Sequence, residues 1–487
     1  MKRVLIGVAG VVAVLVAIVL VRTALVAAPP PLESTPPPIS VNSMDVARHL
    51  AAAIRFKTIS YGNGVHDDQK NAQLDALRTW MEKTYPAFHR AATREIIGKS
   101  LLFTWKGKNP NAKPILLMAH MDVVPVVPGT DKDWSHGPFA GDIADGFVWG
   151  RGAIDDKGCL ITLLDAAERL AQSGFTPERT IMFAFGQDEE VGGSQGNGNI
   201  AKILAARHVH FAWVLDEGGA IFNEPFPGVQ QPVVYMAVAE KGYLTLQLTA
   251  HGTGGHSSRP THDLAIARLS DAVLKVVNHP FASGIDDVQR EQFSVLAPYV
   301  PFFQRMILAN LWLTGPIVSN MLEGNPETAA MMHTTIAPTM ISGGVKDNVL
   351  PPEATATINF RLHRRDTIQS VIEHVRKSIN DPRVDVRALT ETQDEASKVS
   401  DLHDENGKFV VAAIRDSFNG IPVAPLVTTG ATDSRHYLPI ADDVYRLDPF
   451  HMGPDDMSRV HGTNERLAIG DIGPAVAFYM RLMQNLK

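Results

Sequence analysis

The residues best suited to chemistry in this chain of 487 residues follow short apolar runs or come just before a predicted helix. For any single acid, a helix cap or a turn is the simpler explanation. Four such clusters in one chain instead favour a site for a divalent metal ion, because imidazole and carboxylate are its usual ligands. The clustered residues are His120, Asp122, Asp155, Asp156, Asp188, Glu189, Glu190, Asp216 and Glu217.

The composition restricts what kind of metal site this is. Cys159 is the only cysteine, so a thiolate zinc site and an internal disulfide are both excluded. The carboxylates are too numerous for one tetrahedral zinc, whereas two ions about 3.5–4 Å apart, sharing a bridging carboxylate, would use them. The His-Glu-x-x-His pattern of single-zinc proteases is absent.

Alternating strand and helix signals position these residues. Residues 115–118, 180–185 and 213–215 are apolar runs typical of buried parallel strands, and residues 157–172 have a helical apolar face. This pattern predicts an α/β fold, with a mainly parallel sheet flanked by helices. Ligands of such sheets gather at the carboxyl ends of the strands, where these clusters lie. From about Glu240, segments such as YLTLQLTAHG and ATATINFRLH predict a second, antiparallel α+β domain.

The N-terminus predicts export. Lys2 and Arg3 precede an uninterrupted apolar stretch over residues 4–21, long enough to cross a bilayer with the N-terminus inside. We expect a membrane anchor that leaves the catalytic part periplasmic or extracellular. A cleaved signal peptide, giving a secreted protein, is the alternative. The predicted division is 1–27 anchor or signal peptide, 28–41 proline-rich spacer, 42–239 and 396–487 catalytic domain, and 240–395 inserted domain.

The net charge and one apolar segment limit the classes of partner that this chain could bind. A formal net charge of −7 argues against nucleic acid. Residues 293–322 carry one charge, Arg305, so they must face a core, a partner subunit, the membrane or an apolar ligand. A domain core or dimer interface is the plainer interpretation of this segment, and a channel for a long acyl chain is the more specific one.

Six motifs, in this order, carry a family resemblance: MAHMDVVPV, WGRGAIDDKG, GQDEEVGG, LDEGG, GTGGHSSRP and HGTNER. The chain from about Met44 onward resembles the di-zinc peptidase family of carboxypeptidase S, aminoacylase, bacterial glutamate carboxypeptidase and succinyl-diaminopimelate desuccinylase. TDSRHY and HGTNER are most similar to the branch of carboxypeptidase S and N-fatty-acyl-amino-acid synthase/hydrolase. The resemblance implies that the inserted domain is a lid and dimerisation domain.

The resemblance also implies two zinc ions, with cobalt or manganese as alternatives, and a cis peptide between Asp155 and Asp156. Glu189 is then the general base, and Asp122 orients His120. The implied ligands are His120, Asp155 and Asp216 for one ion, and Asp155, Glu190 and His461 for the other.

Further residues are implied to bind the substrate. His256 would stabilise the oxyanion, commonly in the partner subunit's site of a homodimer. Asn348 and Arg361 would hold a substrate carboxylate, with Arg435 either assisting or serving as a structural surface charge. A phosphate cradle at HGTGGHSSRP is disfavoured, because the Lys-Ser/Thr ending of a P-loop is missing.

We therefore expect a metallohydrolase that cleaves the amide bond of an N-acyl amino acid, or of a small peptide with a free C-terminal carboxylate. The acyl group could be long, and synthesis would be the reverse reaction. An aminopeptidase or dipeptidase of the same family is the alternative. A non-catalytic binding protein on a peptidase scaffold is a minor one, because Glu189 and every implied ligand are present.

Overall fold

The computed structural model describes residues 2–32, 36–62, 67–224, 226–453 and 455–486. The helices are α1 Lys2–Ala24, α2 Ser43–Ile54, α3 Asp67–Thr84, α4 Pro86–Ala91, α5 Lys157–Gln172, α6 Asn197–Ala206, α7 Ala265–Asn278, α8 Asp287–Leu296, α9 Phe302–Ala309, α10 Leu311–Glu323, α11 Pro326–Met332, α12 Ile368–Ile379, α13 Glu405–Ser417 and α14 Ile469–Gln484. Short 3₁₀ helices cover Asp131–Asp133, Glu189–Val191, Ala297–Tyr299 and Asp433–Ile440.

The strands in the described ranges are β1 Thr93–Ile97, β2 Ser100–Trp105, β3 Ile115–His120, β4 Asp142–Ala144, β5 Phe147–Trp149, β6 Ile181–Gly186, β7 Phe211–Asp216, β8 Ala220–Phe222, β9 Val233–Glu240, β10 Gly242–His251, β11 Gly255–His256, β12 Thr335–Gly343, β13 Val349–Leu350, β14 Glu353–Leu362, β15 Val384–Asp394, β16 Val423–Thr428, β17 Ala441–Arg446, β18 His451–Met452 and β19 Arg466–Ala468.

The main sheet confirms the predicted α/β class. Its strand order is β1-β2-β6-β3-β7-β17-β9-β8-β18, with β16 paired to β9. The central run β6-β3-β7-β17 is parallel. Neighbouring residues of β3 point to opposite faces, so Leu117 packs with α5 and α14 while Leu116 and Met118 pack with α6. Helices thus cover both faces, which explains why β3, β6 and β7 are buried throughout.

The inserted domain is a second sheet with its own core. Its order is β12-β14-β10-β15, all antiparallel, and α7 and α12 pack on one face. The two segments predicted to be antiparallel form β10 and β14, which pair with Tyr243 opposite Arg361. β12, at one edge of this sheet, is mostly exposed.

The apolar segment over residues 293–322 packs on the main sheet, although it was predicted to lie inside the second domain. Its buried residues, including Phe293, Leu308 and Val318, contact Val233 of β9 and Ala424 of β16. It therefore covers one end of the main sheet, separate from the lid core formed by β10, β14, α7 and α12. The helix pair α9–α10 in this segment also contacts α1.

α1 is the one helix in the described ranges that is long and apolar enough to cross a membrane. Residues 3–18 are exposed all around. The same length and composition would suit a signal sequence, so the anchor stays a prediction.

Candidate metal centre and active site

His120 ends β3 at the carboxyl edge of the parallel strands. Its Nε2 lies 2.9 Å from Asp155 Oδ1 and 3.3 Å from Glu217 Oε1. Its Nδ1 lies 3.0 Å from the backbone carbonyl of Asp122. The carbonyl therefore fixes the ring so that Nε2 faces the carboxylates, an arrangement typical of a metal-binding histidine.

His461 faces the other oxygen of Asp155. Its Nε2 lies 3.0 Å from Asp155 Oδ2 and 3.2 Å from Glu190 Oε2. Asp155 is thus shared by two groups, one with His120 and one with His461. A carboxylate that presents one oxygen to each of two imidazoles is well placed to bridge two cations.

A buried ion pair connects the segments that carry Asp155 and His461. Glu465 Oε2 accepts from Arg151 Nη1 at 2.6 Å, and Glu465 Oε1 accepts from the backbone N–H of Asp155 at 3.2 Å. Arg151 Nη2 in turn donates to the carbonyls of His461 and Gly462, at 3.1 and 2.8 Å. Neither Arg151 nor Glu465 was predicted as a site residue, although Arg151 lies inside the motif WGRGAIDDKG and Glu465 inside HGTNER.

The carboxylate of Asp122 binds the backbone of the turn that carries Glu189 and Glu190, called the acidic turn, more closely than it binds His120. This carboxylate accepts from Ser60 Oγ at 2.6 Å, from the N–H of Glu189 at 3.1 Å and from that of Glu190 at 3.4 Å. The nearer carboxylate oxygen lies 3.5 Å from His120 Nδ1, farther than the carbonyl of the same residue. The carboxylate therefore holds the turn that begins the 3₁₀ helix Glu189–Val191.

Glu217, and not Asp216, lies against His120. β7 ends at Asp216, whose Oδ2 accepts from the N–H of Ser434 at 2.8 Å. Because consecutive side chains at a strand end point to opposite faces, Asp216 points away from the site while Glu217 points into it. The structure therefore places Glu217, which was not predicted as a ligand, against His120, where the resemblance implied Asp216.

The electrostatics of the site are those of crowded carboxylates. Burial, reinforced by the charge of Asp155, raises the pKa of Glu190 to about 7 and that of Glu217 well above its usual range. Burial also raises the pKa of Glu189 well above its usual range. Despite burial, hydrogen bonds with His120 and His461 hold the pKa of Asp155 well below the ordinary value. Asp155 therefore stays ionised, whereas burial favours the protonated forms of its acidic neighbours.

This donor set fits divalent cations. One group brings together His120, Asp155 and Glu190, and another His120, Asp156 and Glu217, each with ligand atoms within 4.8 Å of one another. Nitrogen and oxygen donors of this kind suit zinc, cobalt or manganese. Cations would also stabilise the ionised carboxylates, whose pKa values are raised by burial and then by neighbouring charges. The Asp155–Asp156 peptide bond is cis, as the resemblance implied.

Asp433 is a further buried carboxylate beside the acidic turn. Its Oδ2 accepts from Asn197 Nδ2 at 2.6 Å, and burial raises its pKa to about 8. A Cβ atom at Gly193, whose φ is +64°, would lie 1.8 Å from Asp433 Oδ1, so only glycine allows this close packing. Asp433 belongs to the TDSRHY motif, in which only Arg435 was predicted as a site residue.

The substrate-binding candidates separate into two groups. His256 on β11 is exposed. β11 pairs with β13 next to Asn348, whose carbonyl accepts from the N–H of Ser257 at 3.2 Å. These contacts lie within the lid, away from the hydrogen bonds around Asp155.

The two arginines, by contrast, lie where the lid meets the catalytic domain. Arg361 stacks on Tyr243, with its guanidinium 4.4 Å from the ring centroid, and donates to the carbonyl of Thr429 at 3.3 Å. Arg435 donates to the carbonyl of Gly192 at 2.7 Å, directly after the acidic turn. Burial and then the charge of Arg435 lower the pKa of Arg361, so the two cations share one neighbourhood.

Comparison with known protein families shows to which family the chain belongs. Residues 116–485 match the model of the peptidase family M20/M25/M40. The chain belongs to this family. It is an enzyme of the M20 peptidases, which are metal-dependent.

Curated relatives agree over most of the chain. A probable carboxypeptidase S-like protein from Dictyostelium discoideum is 37% identical over 451 residues, covering 92% of this chain and 86% of the relative. An N-fatty-acyl-amino acid synthase/hydrolase from Xenopus tropicalis is 37% identical over 444 residues, covering 90% and 85%. The branch resemblance from the motifs is therefore confirmed.

Solved structures share the fold at low identity. An M20 family metallo-carboxypeptidase from Sulfolobus solfataricus superposes with a TM-score of 0.64 at 17% identity, covering 90% of this chain and 98% of that one. Human carnosine dipeptidase 1 gives a TM-score of 0.62 at 14% identity, covering 91% and 96%. Both similarities concern the fold of the two domains.

Proposed function

We propose that this M20 enzyme hydrolyses the amide bond of N-acyl amino acids at a two-metal centre. The observation that carries the proposal is the position of Asp155, which presents one oxygen to His120 and the other to His461. The proposed ligands are His120, Asp155 and Glu217 for one ion, and Asp155, Glu190 and His461 for the other. Zinc is the proposed metal, with cobalt or manganese as alternatives.

Two such ions, when bound, would lower the pKa of a nearby water and polarise the substrate carbonyl. The N–H of Glu189 donates to Asp122, which fixes Glu189 in the acidic turn. The carboxylate of Glu189 is not one of the proposed ligands. It accepts the proton as the water oxygen attacks the carbonyl carbon. It then passes that proton to the amide nitrogen as the C–N bond breaks, releasing a fatty or other carboxylic acid and the amino acid.

Recognition of a free carboxylate is assigned to the arginine pair. Arg361 presents a planar fork of donors that matches a carboxylate in two-pronged geometry. Arg435 lies close enough to lower the pKa of Arg361, and an anion between them would relieve that repulsion. Asn348 and His256, on the lid, are proposed to complete the site across a homodimer, with His256 stabilising the oxyanion in the partner subunit.

The acyl group is proposed to be long. Support comes from relatives that are named N-fatty-acyl-amino acid synthase/hydrolases and align over about nine-tenths of this chain. An extended apolar acyl chain gains roughly 0.8 kcal/mol per buried CH₂. Extending an octanoyl to a lauroyl group should therefore strengthen binding by about 3 kcal/mol, or over a hundredfold.

The test is a substrate panel with one amino acid in N-acetyl, N-octanoyl and N-lauroyl form, together with dipeptides. We expect kcat/KM to rise along the acyl series and to vanish with a metal chelator. A flat or falling series would make the enzyme a short-chain aminoacylase or a dipeptidase. Turnover that persists without metal would contradict the proposed mechanism itself.

The catalytic part is proposed to lie outside the cytoplasm, held by α1. Lys2 and Arg3 before the apolar stretch favour an inside N-terminus. A secreted form, cleaved within the small-residue site Val26-Ala27-Ala28, is the alternative. Alkaline extraction of membranes would separate these two outcomes.

A further inference from the structure

An uncovered apolar surface lies on the helix pair α9–α10. Its large apolar side chains are strongly exposed, several by half or more of their area. A contiguous surface of this kind rarely faces water without a partner. We define this surface, called the hairpin surface below, by Phe302, Phe303, Ile307, Trp312, Leu313, Ile317 and Met321.

Neither charged residue of α9 and α10 belongs to the hairpin surface. Arg305 turns inward, and Glu323, the last residue of α10, lies with its carboxylate 3.3 Å from His333 Nδ1. The guanidinium of Arg305 donates to the carbonyls of Ala297 and Pro298, at 3.2 and 2.9 Å. The opposite, buried side of the pair, with Leu308 and Val318, packs on the main sheet. The exposed side is therefore a separate apolar face with no role in that core.

Contacts with α1 fix where this face lies. Asn310, fully buried between α9 and α10, donates to the carbonyl of Val19 and to Thr23 Oγ1, both at 3.3 Å. Arg22 Nε donates to the carbonyl of Ala309 at 3.4 Å. The junction of the hairpin is thus attached to the last two turns of the apolar helix.

The depth of that attachment follows from helix geometry. Val19 lies five residues before the end of α1 at Ala24, which corresponds to roughly 7.5 Å along the helix axis. Half of the hydrocarbon core is about 15 Å thick. If α1 crosses the bilayer as proposed above, Asn310 and the neighbouring turns lie at the level of the outer leaflet.

The polar groups at the junction of α9 and α10 suit that environment. Thr314 Oγ1 donates to the carbonyl of Ile307 at 2.7 Å, and Trp312 Nε1 donates to Asn310 Oδ1 at 3.3 Å. Asn310 Nδ2 also donates to the carbonyl of Met306 at 2.8 Å. In a bilayer, polar groups must be satisfied inside the protein, and an amphipathic tryptophan is favoured at the interface.

We propose that the hairpin surface inserts into the outer leaflet beside α1, so that the enzyme is held to the bilayer by two attachments. The occupant is the acyl-chain region of the lipid, because the face is apolar, uncharged and joined to the proposed transmembrane helix. The catalytic domain then has a fixed orientation on the membrane instead of a flexible tether. This inference rests on the proposed anchor and is independent of the proposed substrate.

The test measures the depth of single probes on the full-length chain in phosphatidylcholine nanodiscs. Nitroxide labels are placed on F303C, I317C and M321C. The control is I96C, because Ile96 is 53% exposed on β1, outside the hairpin surface. The wild-type chain is the labelling blank, because its one cysteine, Cys159, is buried.

We expect the three hairpin labels to collide with oxygen several-fold more, relative to a water-soluble nickel chelate, than the control label. Adding phosphatidylserine should not change this ratio, since the surface is uncharged. Hairpin labels as accessible to the chelate as position 96 would overturn the proposal. Strong spin–spin broadening at the hairpin positions would also overturn it, because a second copy of the chain would then cover the surface.

Discussion

Glu465 and Arg151 form a fully buried ion pair, with 2.6 Å between Oε2 and Nη1. The pair connects the loop of Asp155 with the turn of His461, through the Asp155 N–H on one side and the His461 carbonyl on the other. Neither side chain is placed as a ligand. The positions of Asp155 and His461 therefore depend on two side chains that bond only to the backbone of these segments.

Changing Glu465 to Gln should therefore loosen both proposed metal groups. The variant leaves the Arg151 charge buried and unpaired, which should cost about 3–5 kcal/mol of unfolding free energy. Metal affinity should fall roughly 10–100-fold, the usual effect of losing a residue that orients ligands. Chemical denaturation and metal titration measure the two effects.

The matched control is Glu82→Gln, which breaks the exposed pair of Glu82 with Arg94. That change should leave both the free energy of unfolding and the metal affinity nearly unchanged, because an exposed ion pair contributes little. If Glu465→Gln lowers stability but binds metal as tightly as the control, the pair supports the fold alone.

The ligand assignment at the end of β7 can be tested with a pair of neighbours. Glu217→Gln should weaken metal binding, because Glu217 Oε1 lies 3.3 Å from His120 Nε2. Asp216→Asn should retain both ions and affect mainly the packing around Ser434. Metal content after dialysis compares them, and the reverse order of loss would restore Asp216 as the ligand.

Glu189→Gln should abolish proton transfer while both ions stay bound. We expect turnover to fall on the order of 10²–10⁴-fold, the usual contribution of a general base. The measurement is kcat together with metal content in the same preparation. Near-normal kcat with two bound ions would mean that another group takes the proton.

Arg361→Lys should impair substrates with a free carboxylate more than their carboxamides. Loss of a two-pronged, charge-assisted contact costs about 1.5–3 kcal/mol, or roughly 10–150-fold in kcat/KM for the acid. Arg376→Lys, at an exposed position of α12, serves as the control. An equal loss for acid and carboxamide would show that Arg361 acts on the fold and not on the carboxylate.

The sequence predicted the fold class and most of the site because strands and clusters are local features. The apolar runs that end at His120 and before Glu189 and Glu190 became β3 and β6. The choice between Asp216 and Glu217 depends on where β7 ends and which face each side chain takes, and the pattern does not reveal this. Composition alone also did not show that residues 293–322 pack on the main sheet.

Contacts between segments far apart in the sequence were the features of the site that the sequence predicted least well. Glu465 bonds to the N–H of Asp155 across 310 residues of chain, and nothing near either residue indicates the partner. His461 was found only through the motif HGTNER, since one histidine among eighteen carries little information by itself. Here the family motif supplied what local physical chemistry could not.

The central claim is that Asp155 bridges two ions, and metal content per chain tests it most directly. After dialysis, the wild-type enzyme should retain two ions. His461→Ala should retain mainly one, because it removes a ligand from one group, whereas Asp155→Ala should lose both. Equal metal retention in the two variants would contradict the bridging role of Asp155 and with it the two-metal mechanism.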